Sequence, residues 1–403
     1  MDILFISRCL PYPLHYGDRL LSYHVVSELR ARGHRFDLLA FYLEESDLLE
    51  IPRFAGLFTH IEPIREKIRS PLDYLKRLAL PFPDSSRECW NPSMWEAIQR
   101  RLADQRYDLI HLFGGVQIYE NRNLVRGLPN IIVPYDSHGL FMKRAVDSAD
   151  SLWNRMRLQA ESAMVDRYER TMYEGFDRVV LVAENDEKYL HRLTPRLNTT
   201  VIPMGVDTDY FSPKVDAHRA STMVFVGNYE YAPNVSAAIA LIQEILPRVR
   251  RTIPDARAIL VGANPPAALK SLAGDGVEIT GYVPDIRPYL AQAACFVAPL
   301  TLGSGMKDKV LEAMAMRIPV VATSIGCEGI AATPGEDILF GRTNAELADA
   351  VIRLLRDDAV WRKVAEGGRR LVDRLYNWRS VGAQYEKLYA DVIAQRRAGV
   401  SDK

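Results

Sequence analysis

The chain has 403 residues, more than one hydrophobic core usually serves, so two domains of about 200 residues each are expected. Lys plus Arg and Asp plus Glu each total 51, and the resulting formal net charge of zero argues against a general nucleic-acid binder. Apolar residues at 48% and charged residues at 25% are the proportions of a soluble globular protein, and no apolar run approaches the roughly 20 residues that cross a bilayer.

Four scattered cysteines (Cys9, Cys89, Cys295, Cys327) show no CxxC spacing, which predicts reduced thiols with neither a disulfide framework nor a zinc site. The first residues read directly as a strand with no signal peptide, so a cytoplasmic location is expected.

Residues 3–7 form a short apolar strand. Residues 20–32 follow as a helix with Leu21, Val25 and Leu29 on one face, Gly33 ends it, and 36–42 is the next strand. Strand, loop, helix, strand opens a parallel α/β domain whose ligands lie at the carboxyl ends of the strands. Gly17, in the loop after the first strand, therefore sits where a substrate would. The GxGxxG fingerprint is absent, which counts against an NAD enzyme. Residues 43–106 are less regular and more basic. Within them, IREKIRSPLDYLKRLALPFP (64–83) interleaves Arg and Lys with Ile, Leu and Tyr. Such a composition binds anionic lipid surfaces; a solvated helix with an ordinary apolar face is the simpler account. Pro71 interrupts any single long helix there.

Residues 108–113 and 130–135 are strands. The sequence DSHG (136–139) follows the second, so His138 lands past its carboxyl end, either facing a ligand or capping the next helix. Asp136 is a weaker candidate for the same pocket. Residues 151–174 form a long charged helix with Met156, Met164, Tyr168 and Met172 near one face, and 176–190 read as strand, loop, helix.

The second half repeats the rhythm, with strands at 223–227, 256–262, 277–283 and 295–299 and a helix at 286–294. It leads to GSGMKDKVLEAMAMRIPVVATSIGCEG (303–329): a glycine-rich turn, a short helix, a buried strand and a second loop. Gly303 and Gly305 let the backbone turn tightly and bring N–H groups close to a ligand. Lys307 begins a helical pattern in which Val310, Leu311 and Met314 share a face. The first helical turn carries unpaired N–H groups and the positive end of the macrodipole, a seat for phosphate. Lys307 and Lys309 add positive charge there. Glu312 lies off the apolar stripe, where its carboxylate can accept two hydroxyl hydrogen bonds. A diphosphate with a ribose beside it fits this arrangement. Taken singly, a glycine turn before a helix is common, and Lys309 with Glu312 is equally an ordinary surface ion pair.

This stretch resembles the donor-site signature of the retaining glycosyltransferases of family 4. The signature runs roughly K-x-x-E-A-M-A (here 309–315), P-V-V-A-T (319–323) and G-x-E-G (326–329). Residues 201–213, VIPMGVDTDYFSP, resemble the same family's interdomain segment, with Gly205, Val206, Asp207, Phe211 and Pro213 matching and Met204 where asparagine is usual. The resemblance implies an α/β chain of GT-B fold, with two Rossmann-like doubly wound domains facing a central cleft. Residues 1–205 would bind the acceptor and 206–377 the nucleotide-sugar donor. A helix at 378–397 would pack back on the first domain, with the hinge near 205–220.

The activity implied is transfer of a sugar, with retention and without a metal or other cofactor, from a nucleoside diphosphate sugar (UDP among the bases) to a glycan or lipid-linked acceptor. Polysaccharide or glycolipid biosynthesis is the implied setting. No nucleic acid is involved, and the enzyme would be cytoplasmic, membrane-associated through peripheral contact with the anionic inner face. Glu312 would hold the ribose; Gly303, Gly305, Met306, Lys309 and Val310 would hold the rest of the donor, with Gly17 and Gly227 lining its site and Tyr282 and Val283 framing the base. Lys307 would stabilise charge on the leaving diphosphate, while His138 and Ser304 orient the transferred sugar.

There are departures from the family pattern. The loop NYEYAPN (228–234) lacks the usual basic residues, Ser304 stands where glutamate is usual, and Arg317 stands where glycine ends the helix, at a cost of ~1 kcal/mol. No covalent nucleophile stands out, so front-face attack fits better than double displacement. A sugar-nucleotide epimerase, or a scaffold that kept the fold without turnover, are the rival readings.

Overall fold

Short apolar runs separated by helices become parallel strands covered on both faces. The computed structural model describes residues 1–14, 17–78, 80–149, 151–213 and 221–401. It divides into two units, Met1–Pro203 with Val381–Lys403, and Met204–Ser380.

The first unit is built on β1 (Asp2–Ser7), β2 (Arg35–Tyr42), β3 (His60–Arg65), β4 (Leu109–Phe113), β5 (Asn130–Tyr135), β6 (Arg178–Leu181) and β7 (Thr199–Val201). All pair in parallel, in the order β3-β2-β1-β4-β5-β6-β7. The order reverses between β1 and β4, and that switch point opens a crevice at the strands' carboxyl ends. The central strands are wholly buried: Ile3, Leu4, Ile6, Leu109, Ile110 and Leu112 are all inaccessible. β3 falls inside the stretch expected to be irregular. Its sequence HIEPIR buries only Ile64 and contains a proline, which an edge strand tolerates.

In the basic stretch 64–83, two arginines turn away from solvent. Pro71 opens the helix Pro71–Leu78, as its fixed φ allows. Arg69 and Arg77 turn inward onto the buried Glu120, at 3.2 and 3.0 Å. Lys67, Ile68, Leu72, Lys76 and Leu80 stay exposed, and Ala79 lies outside the described residues. In the long helix Leu152–Met172, Tyr168 and Met172 are buried and Met164 packs against the core. Met156, expected on the same face, is 56% exposed together with Leu152 and Trp153. A helix of 21 residues is about 30 Å long, longer than the four- and six-residue strands β6 and β5, so only its carboxyl-terminal half is covered.

The final helix, Trp378–Ser401, buries Tyr385 and Tyr389 against His111 of β4. The Tyr389 hydroxyl lies 2.5 Å from His111 Nδ1, and the Tyr385 ring stacks on the imidazole at 6.0 Å. Burial pushes His111 down to about 3, so its ring is neutral.

The second unit is built on β8 (Thr222–Val226), β9 (Arg257–Val261), β10 (Val277–Ile279), β11 (Cys295–Ala298), β12 (Val320–Ala322) and β13 (Leu339–Phe340), in the order β10-β9-β8-β11-β12-β13. These too are parallel, and the switch point falls between β8 and β11. β10 is shorter than the strand expected at 277–283 because Gly281, at φ 70°, turns the chain away. The helix expected at 286–294 shrinks to Arg287–Ala291. Where the chain enters this unit it runs beside the segment that leaves it. Val206 N–H donates to Tyr376 O at 2.7 Å, and a Cβ on Gly205 would lie 2.5 Å from Trp378 Cε3. Of the hinge expected at 205–220, residues 214–220 lie outside the described residues.

Candidate functional site

In the second unit, β8 and β11 deliver two loops to the switch point. β8 ends at Val226 and is followed by Gly227, whose N–H donates to Val261 O at 2.9 Å. A Cβ on Gly262 would lie 1.9 Å from Gly227 O, so the loops after β8 and β9 are in direct backbone contact and Gly262 has no room for a side chain. After β11, Gly303 at φ 142° and Gly305 at φ 63° make the tight turn that only glycine adopts without strain. The helix Asp308–Ala315 starts immediately after it. The helix Ala232–Ala240 starts on the β8 side, with Tyr231 at its N-cap. If a Cβ stood on Gly303, the Tyr231 hydroxyl would be 3.7 Å from it. Two helix amino termini therefore converge on one switch point, each with a positive dipole end.

Lys309 joins them. Its Nζ donates to Asn234 Oδ1 at 2.8 Å and sits 5.1 Å from the centre of the Phe225 ring. Burial, assisted by Lys307, pushes its ammonium down to about 8. Glu312, one turn further on, is pushed up by burial and by the Asp308 carboxylate, against the pull of Lys309. Both side chains are partly exposed.

Lys307 is placed differently from Lys309. It is the N-cap residue, 8% exposed, and its Nζ donates to Ser304 O and Gly305 O at 2.7 Å each. Its ammonium ties the glycine turn from within. Ser304 contributes that carbonyl and is partly exposed. Met306 is buried, and its sulfur accepts from Met204 N–H at 3.3 Å. The Val310 side chain is in the core, and its N–H donates to Lys307 O. Tyr282 is 69% exposed and Val283 half-buried, both past the carboxyl end of β10. Asp308 was missed by the sequence reasoning. Its carboxylate accepts from Lys309 N–H at 2.8 Å and lies among the lysines. Asn234 was missed as well; its only sequence signal was a Pro-Asn pair in the loop that lacks basic residues.

The first unit has its own carboxyl edge. Gly17 is the first residue of the helix Gly17–Ala31 after β1, and residues 15 and 16 before it lie outside the described residues. At the switch point, Arg8 N–H donates to Phe113 O, and its guanidinium holds Asp18 Oδ2 at 2.8 Å. β5 is irregular between Ile132 and Tyr135, and Tyr135 has φ 84°. A bulky residue in that region is strained by roughly 1–3 kcal/mol, a feature that clusters at functional sites. The strained turn delivers Asp136, half-buried, and His138, exposed, at the start of the histidine helix His138–Asp147. The His138 ring stacks on Phe141 at 5.8 Å.

The fold is shared with known proteins. Residues 21–210 match the family described as Glycosyltransferase Family 4, and residues 220–357 match Glycosyl transferases group 1. The chain belongs to this glycosyltransferase family. An "uncharacterized 44.6 kDa protein in cps region" of Klebsiella pneumoniae is 21% identical over 94% of this chain and 97% of its own length. A phosphatidyl-myo-inositol mannosyltransferase of Mycobacterium leprae is 30% identical over 202 residues, 47% of this glycosyltransferase and 53% of that enzyme. The chain thus matches about half the length of that characterised relative. Among solved structures, a sucrose-phosphate synthase from Thermosynechococcus elongatus superposes with a TM-score of 0.69 at 21% identity, covering 98% of this chain and 99% of that one. Anabaena Alr3699/HepE, solved with UDP and glucose, gives 0.64 at 14% identity, covering 97% of this chain and all of that one. These likenesses establish the GT-B fold.

Proposed function

We propose that this glycosyltransferase transfers a sugar from a nucleoside diphosphate sugar to a hydroxyl of a glycan or lipid-linked acceptor, with retention of configuration and without a metal. The observation that carries the reading is Lys309, held by Asn234 between two helix amino termini at the β8/β11 switch point. That site replaces the basic residues lacking in 228–234 and meets the diphosphate charge with protein groups alone, so a divalent cation is not required. Glu312 takes the ribose hydroxyls, residues 281–283 frame the base, and Ser304 and His138 have the role of orienting the transferred sugar. Lys307 keeps the glycine turn closed and lends its charge to the leaving group. The bond from the anomeric carbon to the β-phosphate oxygen breaks as the acceptor oxygen bonds the same face of that carbon. The acceptor's proton passes to the departing phosphate oxygen, and the nucleoside diphosphate leaves.

Relatives that are mannosyltransferases of a phosphoinositide, and a structural neighbour solved with UDP and glucose, support a nucleotide-sugar donor and a glycan or glycolipid product. A cytoplasmic location with peripheral contact to an anionic membrane belongs to the same proposal.

Thermal melting with UDP, GDP, ADP and their common sugars, in EDTA, tests it. Ligand at about 100 times Kd stabilises its binding unit by ~2.7 kcal/mol. One base is expected to act, and Glu312→Ala is expected to weaken that binding. Unchanged affinity in Glu312→Ala sinks the ribose assignment. Absence of any shift sinks the donor site and leaves a scaffold.

A further inference from the structure

At the start of the histidine helix, every backbone donor is already taken. Ser137 Oγ accepts from Leu140 N–H at 3.1 Å, and Glu169 accepts from the N–H groups of His138 and Gly139. The N–H of Ser137 donates to Asp186 Oδ1 at 2.9 Å, and its hydroxyl donates to Glu169 Oε2 at 2.7 Å. Phe141 N–H closes the first helical bond to Ser137 O. A phosphate finds no free backbone donor at this helix end.

Capping alone does not call for this arrangement. One serine satisfies a helix start, whereas here a carboxylate is buried beneath it. Glu169 is 2% exposed and Asp186 fully buried. Desolvation pushes Glu169 up to about 7, against the hydrogen bonds that favour its charged form. Burying an ionisable carboxylate is costly. Gly139 is fitted to it. A Cβ there would lie 2.6 Å from Glu169 Oε2, 2.7 Å from Tyr189 Cε1 and 2.8 Å from Asp166 Oδ1. The Tyr189 hydroxyl donates to Asp166 at 2.8 Å, bracing the same spot. The strained Tyr135 fixes the approach of the chain from β5. The exposed side chain that this buried polar platform carries is His138.

We propose that Glu169 is a positioning residue for His138: its buried carboxylate pins the His138–Gly139 backbone and so fixes the imidazole on the carboxyl edge of the sheet. The inference rests on the reading above, in which His138 orients the transferred sugar. Glu169 touches no reacting atom; it acts through the histidine.

The test compares Glu169→Gln, His138→Ala and the double variant in the full chain. It reads transfer or donor hydrolysis, affinity for the nucleoside diphosphate, and the His138 Cε1–H resonance. A misplaced catalytic group costs about 10²-fold, so Glu169→Gln is expected to lower kcat by that order with nucleotide affinity unchanged. In the His138→Ala background the same substitution is expected to have no further effect. An equal loss in both backgrounds marks Glu169 as merely structural and overturns the proposal. The resonance is independent of turnover. It is expected to shift and broaden in Glu169→Gln, and an unchanged line overturns the proposal even in a protein that binds no nucleotide. Should Glu169→Gln fail to fold, Gly139→Ala, which pushes on the same carboxylate from the backbone side, is read in the same way. Nucleotide affinity lost in the wild type would refute the donor site and leave the resonance measurement to decide the role of Glu169.

Discussion

Lys309 illustrates how far one side chain's chemistry depends on what packs around it. In sequence it is one of two lysines at a helix start. In the structure Lys307 spends its ammonium on two carbonyls, and Lys309 is the one held across the switch point. Because burial pushes Lys309 down to about 8, it is an ammonium below that pH and increasingly an amine above it. A diphosphate binds the ammonium, so affinity is expected to be level near neutrality and to fall by up to about tenfold per unit as pH rises above 8. Calorimetry across this range checks it, with proton uptake appearing on binding at the alkaline end. Lys309→Arg stays charged and is expected to flatten the profile; a wild-type profile already flat to pH 9.5 removes Lys309 from diphosphate binding. Glu169 and Asn234 belong to the same lesson. Neither advertises itself in sequence, because a glutamate on a charged helix and an asparagine after proline read as solvated or capping residues until their neighbours are known.

At the scale of elements, the helix Asp308–Ala315 was legible almost to its ends. The apolar spacing of Val310, Leu311 and Met314 predicts its buried face, and these three residues are buried. Its carboxyl end also follows the sequence reading. Arg317 adopts φ 55°, and Ile318 N–H reaches back to Ala313 O at 2.9 Å, closing a Schellman turn with arginine where glycine is at ease. Arg317→Gly is therefore expected to stabilise the second unit by ~1 kcal/mol, since relief of left-handed strain exceeds the loss of an exposed 3.7 Å contact with Glu366. A rise of about 2–4 °C in its melting temperature is the expected reading, and a fall would show that the Glu366 contact matters more than the strain. Elements without an apolar pattern were the ones missed. β3 carries a proline and one buried residue, and β13 is two residues long. Edge strands need only half a ladder, so their sequences carry little periodic signal. The reverse error occurred at Met156, where helical spacing continued past the end of the surface that could bury it.

At the scale of the whole molecule, each unit has its own parallel sheet and its own switch point. No helix among the described residues is long and apolar enough to cross a membrane. The proposed function includes a peripheral membrane contact, which the side chains left on the surface of 64–83 would have to make. Arg69 and Arg77 are committed to Glu120, leaving Lys67, Lys76, Ile68, Leu72 and Leu80 on the surface. Co-sedimentation with phosphatidylglycerol vesicles, reversed by salt and weakened by Ile68→Asp with Leu72→Asp, is the expected result. Equal binding to zwitterionic vesicles, or none to either, would remove the membrane from the account.

The sequence by itself determined the two-fold α/β rhythm, the family and the turn, helix and strand of 303–329, because strand burial, helix periodicity and glycine turns are local properties written in neighbouring residues. Which lysine bonds Asn234 and which ties the glycine turn, why Gly262 and Gly139 tolerate no side chain, and that Glu169 lies beneath the start of the helix His138–Asp147 were decided only by tertiary structure. Each depends on residues between two and 75 positions apart in the chain, and a charge, a hydrogen bond or a steric limit is settled by distance in space.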